Sequence, residues 1–152
     1  MTGAIEVQTC SRCSYDAIVF QEYSGQHLCG RHLSSSIRKR TSRELRAQLS
    51  LPKKATKDDG SPFIILVAVS GGKDSAVLLS MMADIIGRRR DVELVAGCVD
   101  EGIDGYRAPS MEFARELADS LSLRFETLSY EEMGYGRMDE VVKLMPAMGE
   151  SH

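Results

Sequence analysis

The chain has 152 residues, of which 43% are apolar and 27% charged, a composition typical of globular proteins and not of disordered ones. No apolar run approaches the roughly 18 residues that a membrane-spanning helix needs, and the first nine residues lack the features of a secretion signal, so we expect a cytoplasmic protein without membrane contacts. The net charge of −3 is unevenly distributed, with +6 on residues 1–57 and −9 on residues 58–152, which predicts two modules with different partners.

The first predicted element is a small metal-binding module. Cys10 and Cys13 form a Cys-x-x-Cys pair, and Cys29 and His32 form a Cys-x-x-His pair after fifteen intervening residues. Two such pairs close a tetrahedral shell around Zn²⁺ and leave no position for water, so the predicted role of the metal is structural. His27 is a rival nitrogen ligand with poorer spacing, and a disulfide is the alternative to a metal site.

A basic helix is predicted next, over residues 36–49. It carries five Lys and Arg residues between positions 38 and 46, and Thr41 and Glu44 have the spacing of a capping box in its middle. The positive charges favour contacts with the phosphates of a polyanion such as tRNA, while the alternative is a solvated helix face. Residues 51–62 contain two prolines and are predicted to be a linker.

The remaining residues alternate between apolar strands and amphipathic helices. We predict strands at 63–69, 92–99 and 124–128, and helices at 76–86, from Pro109 onward and at 139–145. This order is typical of a doubly wound α/β fold with a parallel sheet, and the first strand reads as fully buried. Three strands form only half of such a sheet, so we expect a fragment of a longer protein. The alternative is that another subunit completes the sheet.

The strongest functional signal lies between the first of these strands and the helix that follows it. Residues 70–75 read Ser-Gly-Gly-Lys-Asp-Ser, at a point where backbone N–H groups and a helix dipole converge on an anion. The two glycines permit close approach of a phosphate, and Lys73 adds a positive charge. Asp74 stands where a Walker A loop needs Ser or Thr, and beside phosphates it implies a divalent cation. A glycine turn without ligand is the alternative.

This loop resembles the SGGxDS signature of the PP-loop ATP pyrophosphatases, which split ATP into AMP and pyrophosphate. The resemblance implies an adenine-nucleotide-α-hydrolase-like fold, with Lys73 and Asp74 in catalytic roles and Mg²⁺ at Asp74. At the end of the second strand, Asp100 is placed to face a ribose or a metal, or is only a solvated turn acid. The ATP-binding residues expected together are Ala68, Ser70, Gly71, Gly72, Lys73, Asp74, Ser75, Val99 and Asp100.

A narrower resemblance comes from residues 100–103, Asp-Glu-Gly-Ile, followed by Tyr106 and Arg107, and from the cysteine–histidine pairs that precede the PP-loop. Both features resemble the tRNA 2-thiouridine synthetases. That family implies adenylation of a tRNA uridine followed by sulfur transfer, with tRNA and a sulfur donor or sulfur-carrier protein as partners and a homodimer left open.

The remaining cysteine limits what the resemblance implies. These thiolases use further cysteines to bind an iron–sulfur cluster or to carry sulfur, and we expect those only in a missing C-terminal part. Cys98 lies inside a predicted buried strand, where it reads as a core residue and not as a nucleophile. We therefore assign no sulfur-transfer residue and expect the fragment alone to be inactive in thiolation.

Three regions follow from these patterns: a zinc-binding knuckle (1–35), a basic helix with its linker (36–62), and the N-terminal half of a PP-loop nucleotide-binding domain (63–152). Two other functions stay open. One is a PP-loop ligase or amidotransferase that acts on another acceptor, and the other is a zinc-stabilised RNA-binding module with a vestigial ATP site. A Cys-x-x-Cys pair encoded downstream favours thiolation, and a glutaminase domain favours amidation.

Overall fold

The computed structural model describes residues 7–49, 51, 54–105 and 107–144, with the side chain of Arg107 left out. The chain forms two compact units, Met1–Leu51 and Pro52–His152, which are considered separately below. Within the described ranges, no helix combines the length and apolarity that crossing a bilayer requires.

The first unit consists of a short β-hairpin and a long helix. Strands β1 (Val19–Gln21) and β2 (Gln26–Leu28) pair antiparallel and are joined by one turn of 3₁₀ helix. In the turn between them Gly25 has a φ of 61°, which glycine adopts without steric penalty. The chain then enters helix α1 (Gly30–Gln48) directly from the hairpin.

Helix α1 differs from its prediction in two respects. It begins at Gly30, six residues before the predicted start, because its first turn follows the hairpin and holds no apolar periodicity that would reveal it. The predicted capping box is wrong: Thr41 and Glu44 lie inside a continuous helix, where backbone N–H groups already bond to the preceding turn. None of the residues of α1 is buried.

The second unit is an α/β structure built on a parallel sheet of three strands in the order β3-β4-β5. The strands are β3 (Phe63–Ala68), β4 (Val92–Asp100) and β5 (Arg124–Ser129), and the helices are α2 (Lys73–Ile86), α3 (Arg107–Ser120) and α4 (Met138–Leu144). The predicted fold class and element order are therefore confirmed. Met145, the predicted end of the last helix, lies outside the described residues.

Helices α2 and α3 cover the same face of this sheet. Each crossover connects a strand to its next neighbour in the same direction, and right-handed crossovers in one direction place their helices on one side. The two helices accordingly contact each other and the central strand β4. Their apolar core against the sheet includes Val67, Leu79, Met82, Leu94, Ala96, Ala114 and Ala118, all buried.

The opposite face of the sheet, here called the open face, is largely exposed. By register and alternation it carries Ile64, Leu66 and Ala68 of β3, then Val95, Gly97 and Val99 of β4, and Arg124, Glu126 and Leu128 of β5. The prediction that the first strand is fully buried is wrong on this side, since Leu66 is 62% exposed. The physical reason is that both described crossover helices lie on the other face, and that β3 is an edge strand.

An ion pair fixes the point where the chain enters β4. Asp91 accepts hydrogen bonds from Arg89 (Nη2 to Oδ2, 2.6 Å) and from the backbone N–H of Ala55 (2.6 Å). The Arg89 guanidinium, followed by the Ala55 N–H, holds the pKa of the Asp91 carboxyl well below its ordinary value. One carboxylate thus joins the segment before β3 to the start of β4.

We expect Asp91→Asn to lower the free energy of unfolding of the second unit at neutral pH. The pKa of Asp91 is depressed in the folded state, so its contribution is fully present above the unfolded-state pKa of about 4 and is lost as the pH falls below it. Urea unfolding followed by circular dichroism, at neutral pH and near pH 3, measures the difference. The exposed Asp58→Asn is the control, and an equal loss at both pH values would contradict the assignment.

Candidate functional site

The four predicted metal ligands converge in the first unit. His32 Nδ1 lies 3.3, 3.5 and 3.4 Å from the Sγ atoms of Cys10, Cys13 and Cys29, and the Sγ atoms of Cys13 and Cys29 are 3.7 Å apart. A tetrahedral zinc ion has S···N edges of about 3.6 Å and S···S edges of about 3.8 Å, given bonds of about 2.3 Å to sulfur and 2.0–2.1 Å to nitrogen. The four atoms therefore fit one metal ion, and the cysteines are free of disulfide bonds.

Two backbone elements hold these ligands in place. The first pair lies in a turn that the hairpin anchors, because the N–H of Ser11 donates to the carbonyl of His27 at 2.7 Å. In the second pair, Cys29 is the N-cap residue of α1 and His32 lies in its first turn, so both point to the same side of the helix. His27 is not part of the cluster, since its ring packs against Phe20 with centroids 4.7 Å apart.

The local electrostatics of this cluster shift the pKa values of the Cys10 and Cys13 thiols in opposite directions. Burial acts to raise the pKa of Cys10, but backbone N–H groups of Cys29 and Arg12, with the side chains of His32 and Cys13, outweigh it and lower the pKa to about 6. For Cys13 the Tyr15 N–H acts to lower the pKa, but burial and the adjacent Cys29 and Cys10 thiols raise it. A divalent ion that displaces the remaining protons would relieve this competition.

The phosphate loop, residues 70–75, lies in the second unit between the carboxyl end of β3 and the first turn of α2. Two serine hydroxyls brace it: Ser75 Oγ accepts from the Ser70 N–H at 3.1 Å and donates to the Gly72 carbonyl at 2.9 Å. Gly72 is the N-cap residue of α2, and among the described residues no side chain caps that helix. The first N–H groups of α2, which have no intrahelical acceptor, are therefore directed out of the helix end.

Gly71 sits at the tightest contact of this loop. Its φ is +81°, and a Cβ at this position would lie 2.2 Å from the carbonyl oxygen of Ser110, in the first turn of α3. Any larger residue would push the loop away from α3 or unwind that turn. The sequence analysis explained Gly71 by the close approach of a phosphate. The structure adds a second reason, the packing of the loop against α3, which the sequence pattern alone does not reveal.

The two residues predicted to be catalytic extend into solvent at the start of α2. The side chains of Lys73 and Asp74 are 90% and 92% exposed, and Lys73 Nζ lies 3.8 Å from Asp74 Oδ1. An exposed pair at this distance contributes little to stability, so it does not hold either side chain in place. Both are available to a ligand at the loop.

A cleft of about 530 Å³ opens beside the phosphate loop, over the carboxyl-terminal half of the open face. Four residues that the sequence predicted to bind ATP line it: Ala68, Ser70, Ser75 and Val99. Gly71, Gly72, Lys73 and Asp74 lie in the loop itself, outside the cleft lining. Residues that sequence reasoning missed complete the walls: Leu66, Val69, Gly97, Cys98, Glu101, Glu126, Thr127 and Leu128.

Asp100 is not among the residues that line this cleft. Side chains alternate along β4, so Val99 faces the cleft while Asp100 points to the other side, where its Oδ1 accepts from the Gly102 N–H at 2.8 Å. Glu101, the next residue, lines the cleft instead. Because alternate residues of a strand face the same side, the prediction of Val99 in the site should have been followed by Glu101 and not by Asp100. Gly97, a glycine inside a strand, was a further signal, since it marks a place where another group packs close to the backbone.

The segment after β4 is tied to the start of α4. Arg137 forms an ion pair with Asp104, the Asp104 N–H donates to Asp139 at 2.7 Å, and the Met138 N–H donates to the Glu101 carbonyl at 2.8 Å. These contacts fix the residues that follow the cleft-lining end of β4. Tyr106 and the side chain of Arg107, both part of the resemblance, lie outside the described residues.

Two protein-family profiles match the chain. Residues 9–34 match the N-terminal LIM domain of the 2-thiouridine synthetase TtuA, and residues 42–141 match the PP-loop domain. The first match covers the cysteine–histidine cluster, and the second covers the phosphate loop and the cleft. Together they confirm the resemblance drawn from the motifs.

Individual relatives agree with these profiles. The tRNA 2-thiolation protein NcsA of Haloferax volcanii is 39% identical over 137 residues, 90% of this chain and 42% of that protein. The cytoplasmic tRNA 2-thiolation protein 1 of Drosophila pseudoobscura pseudoobscura is 42% identical over 80 residues, 51% of this chain and 23% of that protein. The chain therefore spans less than half the length of either relative.

One solved structure has the same fold. The U34-tRNA thiolase NcsA from Methanococcus maripaludis, solved with its 4Fe-4S cluster, superposes with a TM-score of 0.71 at 24% sequence identity. The match covers 92% of this chain and 44% of that one. It supports the arrangement of elements described above.

Proposed function

This chain belongs to the PP-loop family and carries a TtuA-type N-terminal LIM domain, and from that premise we propose that its protein catalyses ATP-dependent 2-thiolation of tRNA. The single observation that carries the proposal is the phosphate loop with its adjoining cleft. An uncapped helix start, a glycine pressed against α3 and a cleft at the carboxyl ends of parallel strands together suit a nucleotide.

In this proposal ATP lies in the cleft with its phosphates at the loop. The N–H groups of the loop, with the hydroxyls of Ser70 and Ser75, hold the β- and γ-phosphates. Lys73 stabilises the charge that develops on pyrophosphate as it leaves. Asp74 holds the Mg²⁺ that accompanies the nucleotide, Ala68 and Val99 contact its adenosine, and Asp100 stays a structural neighbour of that contact.

The reaction has two steps. The 2-oxygen of a tRNA uridine attacks the α-phosphorus of ATP, the bond to the bridging oxygen breaks, and pyrophosphate departs with its electron pair. The uridine then carries AMP as a leaving group on its 2-carbon. A sulfide-level sulfur delivered by a donor or a sulfur-carrier protein adds to that carbon, and AMP departs with the electron pair of the broken C–O bond. No residue of this chain is assigned to the second step, because a single buried cysteine, Cys98, remains outside the metal cluster.

The metal proposed for the first unit is zinc. Three cysteines and one histidine at tetrahedral spacing are a closed ligand set for Zn²⁺, which would hold the hairpin and the start of α1 together. An iron–sulfur cluster does not fit this site, because ligand atoms only 3.3–3.7 Å apart enclose a single ion and leave no room for several irons with their bridging sulfides.

The remaining assignments concern partners and place. We propose tRNA as the substrate, bound in part by the basic helix of the first unit, and the cytoplasm as the compartment, in keeping with the Drosophila relative. We also propose a division into a knuckle (1–35), a basic helix with its linker (36–62) and a nucleotide-binding domain (63–152). A homodimer is proposed as the assembly.

Gly71→Ala tests the nucleotide site. The Cβ would meet the Ser110 carbonyl, so we expect the affinity for Mg²⁺–ATP to fall about tenfold or more, measured by equilibrium dialysis with the protein expressed from its own gene. Gly60→Ala is the matched control, because Gly60 has the same positive φ (+82°) but nothing within 4 Å of its Cβ position. Equal losses in both variants would contradict the proposed site.

Elemental analysis tests the metal. We expect about one zinc per chain, lost in the Cys10→Ala, Cys13→Ala double variant, because two ligands do not close a tetrahedral site. Cys98→Ala, which removes a cysteine outside the cluster, should keep its zinc. A wild-type protein without metal, or with iron in place of zinc, would count against the assignment.

Labelled ATP tests the reaction. With tRNA present, the protein expressed from its own gene should convert α-labelled ATP into AMP and release pyrophosphate, and Lys73→Ala should slow this by about 10²-fold or more if Lys73 stabilises the leaving group. Formation of ADP instead of AMP would exclude adenylation. AMP formation with ammonia and no tRNA would favour the amidating ligase, and no ATP binding at all would favour the RNA-binding module.

A further inference from the structure

A groove of about 470 Å³ runs along helix α1 in the first unit. Its lining residues are five cations and one hydroxyl, with no carboxylate among them: Arg38, Lys39, Arg40, Ser42, Arg43 and Arg46. At 100° per residue, four of the five cations and Ser42 fall within an arc of about 140° on the helical wheel, and Arg40 lies about 60° outside that arc. Most of the positive charge therefore faces one side of the helix.

This concentration of charge is unfavourable for the helix by itself. Lys39 and Arg43 are four residues apart on the same side, a spacing at which like charges repel. The ion pair between Arg43 and Glu44 spans 3.5 Å with both side chains more than half exposed, so it offsets little of that repulsion. A ligand that carries several negative charges along its length would neutralise these cations and remove the repulsion. Exposure to water alone would leave the repulsion in place.

One of the groove cations is held by an aromatic ring. The Arg40 guanidinium carbon lies 4.5 Å from the centroid of the Tyr23 ring, in the turn between β1 and β2. Stacking restrains the plane of the guanidinium while its edge N–H groups stay available to a phosphate. Tyr23 is therefore placed as a positioning residue that connects the β1–β2 hairpin to the groove.

We propose that this groove binds the sugar–phosphate backbone of RNA, with Arg40 positioned by Tyr23 at one edge. Five guanidinium and ammonium groups suit phosphates, for which the planar fork of arginine is a good partner. Residues 38–46 span about 12 Å along the helix axis, enough for a few consecutive nucleotides. The proposal rests on the proposed function, in which tRNA is the substrate, and it names the surface that holds the strand.

The test measures how tRNA affinity depends on salt, using fluorescence anisotropy with the intact chain. In the Lys39→Gln, Arg43→Gln variant we expect the slope of log K against log salt concentration to fall by roughly 1.4–1.8, since each phosphate contact contributes roughly 0.7–0.9. The control, Lys57→Gln with Lys143→Gln, removes the same charge from exposed lysines of the second unit and should leave the slope unchanged. The proposal would be overturned if the slope of the groove variant equalled that of the wild type, or if the control variant lost as much slope as the groove variant.

The role of Tyr23 has its own comparison. Tyr23→Leu should weaken tRNA binding roughly two- to fivefold at constant salt with zinc content unchanged, whereas Tyr23→Phe, which keeps a ring under Arg40, should bind as the wild type does. Equal binding by the Leu and Phe variants would remove the positioning role. An acidic peptide that competes as well as single-stranded RNA of equal charge would identify a protein partner and overturn the RNA assignment.

Failure of this inference and failure of the proposed function give different results. If the groove variant binds tRNA normally and AMP formation is intact, the groove is wrong and the proposed function stands. If the groove variant loses tRNA binding but the wild-type protein forms no AMP from ATP, the groove stands as an RNA-binding surface and the proposed adenylation is wrong.

Discussion

The backbone at residue 71 lies so close to the first turn of α3 that no Cβ fits between them. This contact sets the direction in which the chain leaves β3 and enters α2, and therefore where the first N–H groups of α2 point. It also explains why α2 and α3 contact each other beside the loop. The missing side chain therefore sets the close approach of the loop to α3 and the outward direction of these N–H groups, while the handedness of the crossovers places both helices on one face of the sheet.

The distribution of charge around the cleft orients whatever binds there. The carboxylates of Glu101 and Glu126 line the cleft, while the adjoining phosphate loop, outside the lining, offers the N–H groups at the start of α2 and the exposed Lys73 beside Asp74. The two carboxylates repel an anionic group and the N–H groups of the loop attract it. A nucleotide would therefore place its phosphates at the loop and its hydroxyls toward Glu101 and Glu126. Sheet geometry produces this polarity, because the open face brings alternate residues of three strands to one surface.

Element order, fold class, the convergence of the cysteine–histidine pairs and the position of the glycine loop between a strand and a helix were predictable because each depends on local spacing. Cys29 and His32 lie three residues apart, and β3 is a continuous apolar run, so neither requires knowledge of the rest of the chain. What escaped prediction depends on partners distant in sequence. Leu66 is exposed because the two crossovers place their helices on the other side of the sheet. Glu101 and not Asp100 lines the cleft because the pairing register sets which residues of β4 face it.

Helix α1 has nineteen residues and none of them is buried, so tertiary packing contributes little beyond Leu33, which packs against the small core of Cys10, Leu28 and Cys29. The unfavourable step in forming any helix is ordering the first turn. Cys29 and His32 bracket that turn and belong to the proposed metal cluster, so a bound metal would order the helix at its N-terminal end. Metal uptake and helix formation would then be one thermodynamic event, and chelation would melt the arginine-bearing surface even where the sheet of the second unit stays folded.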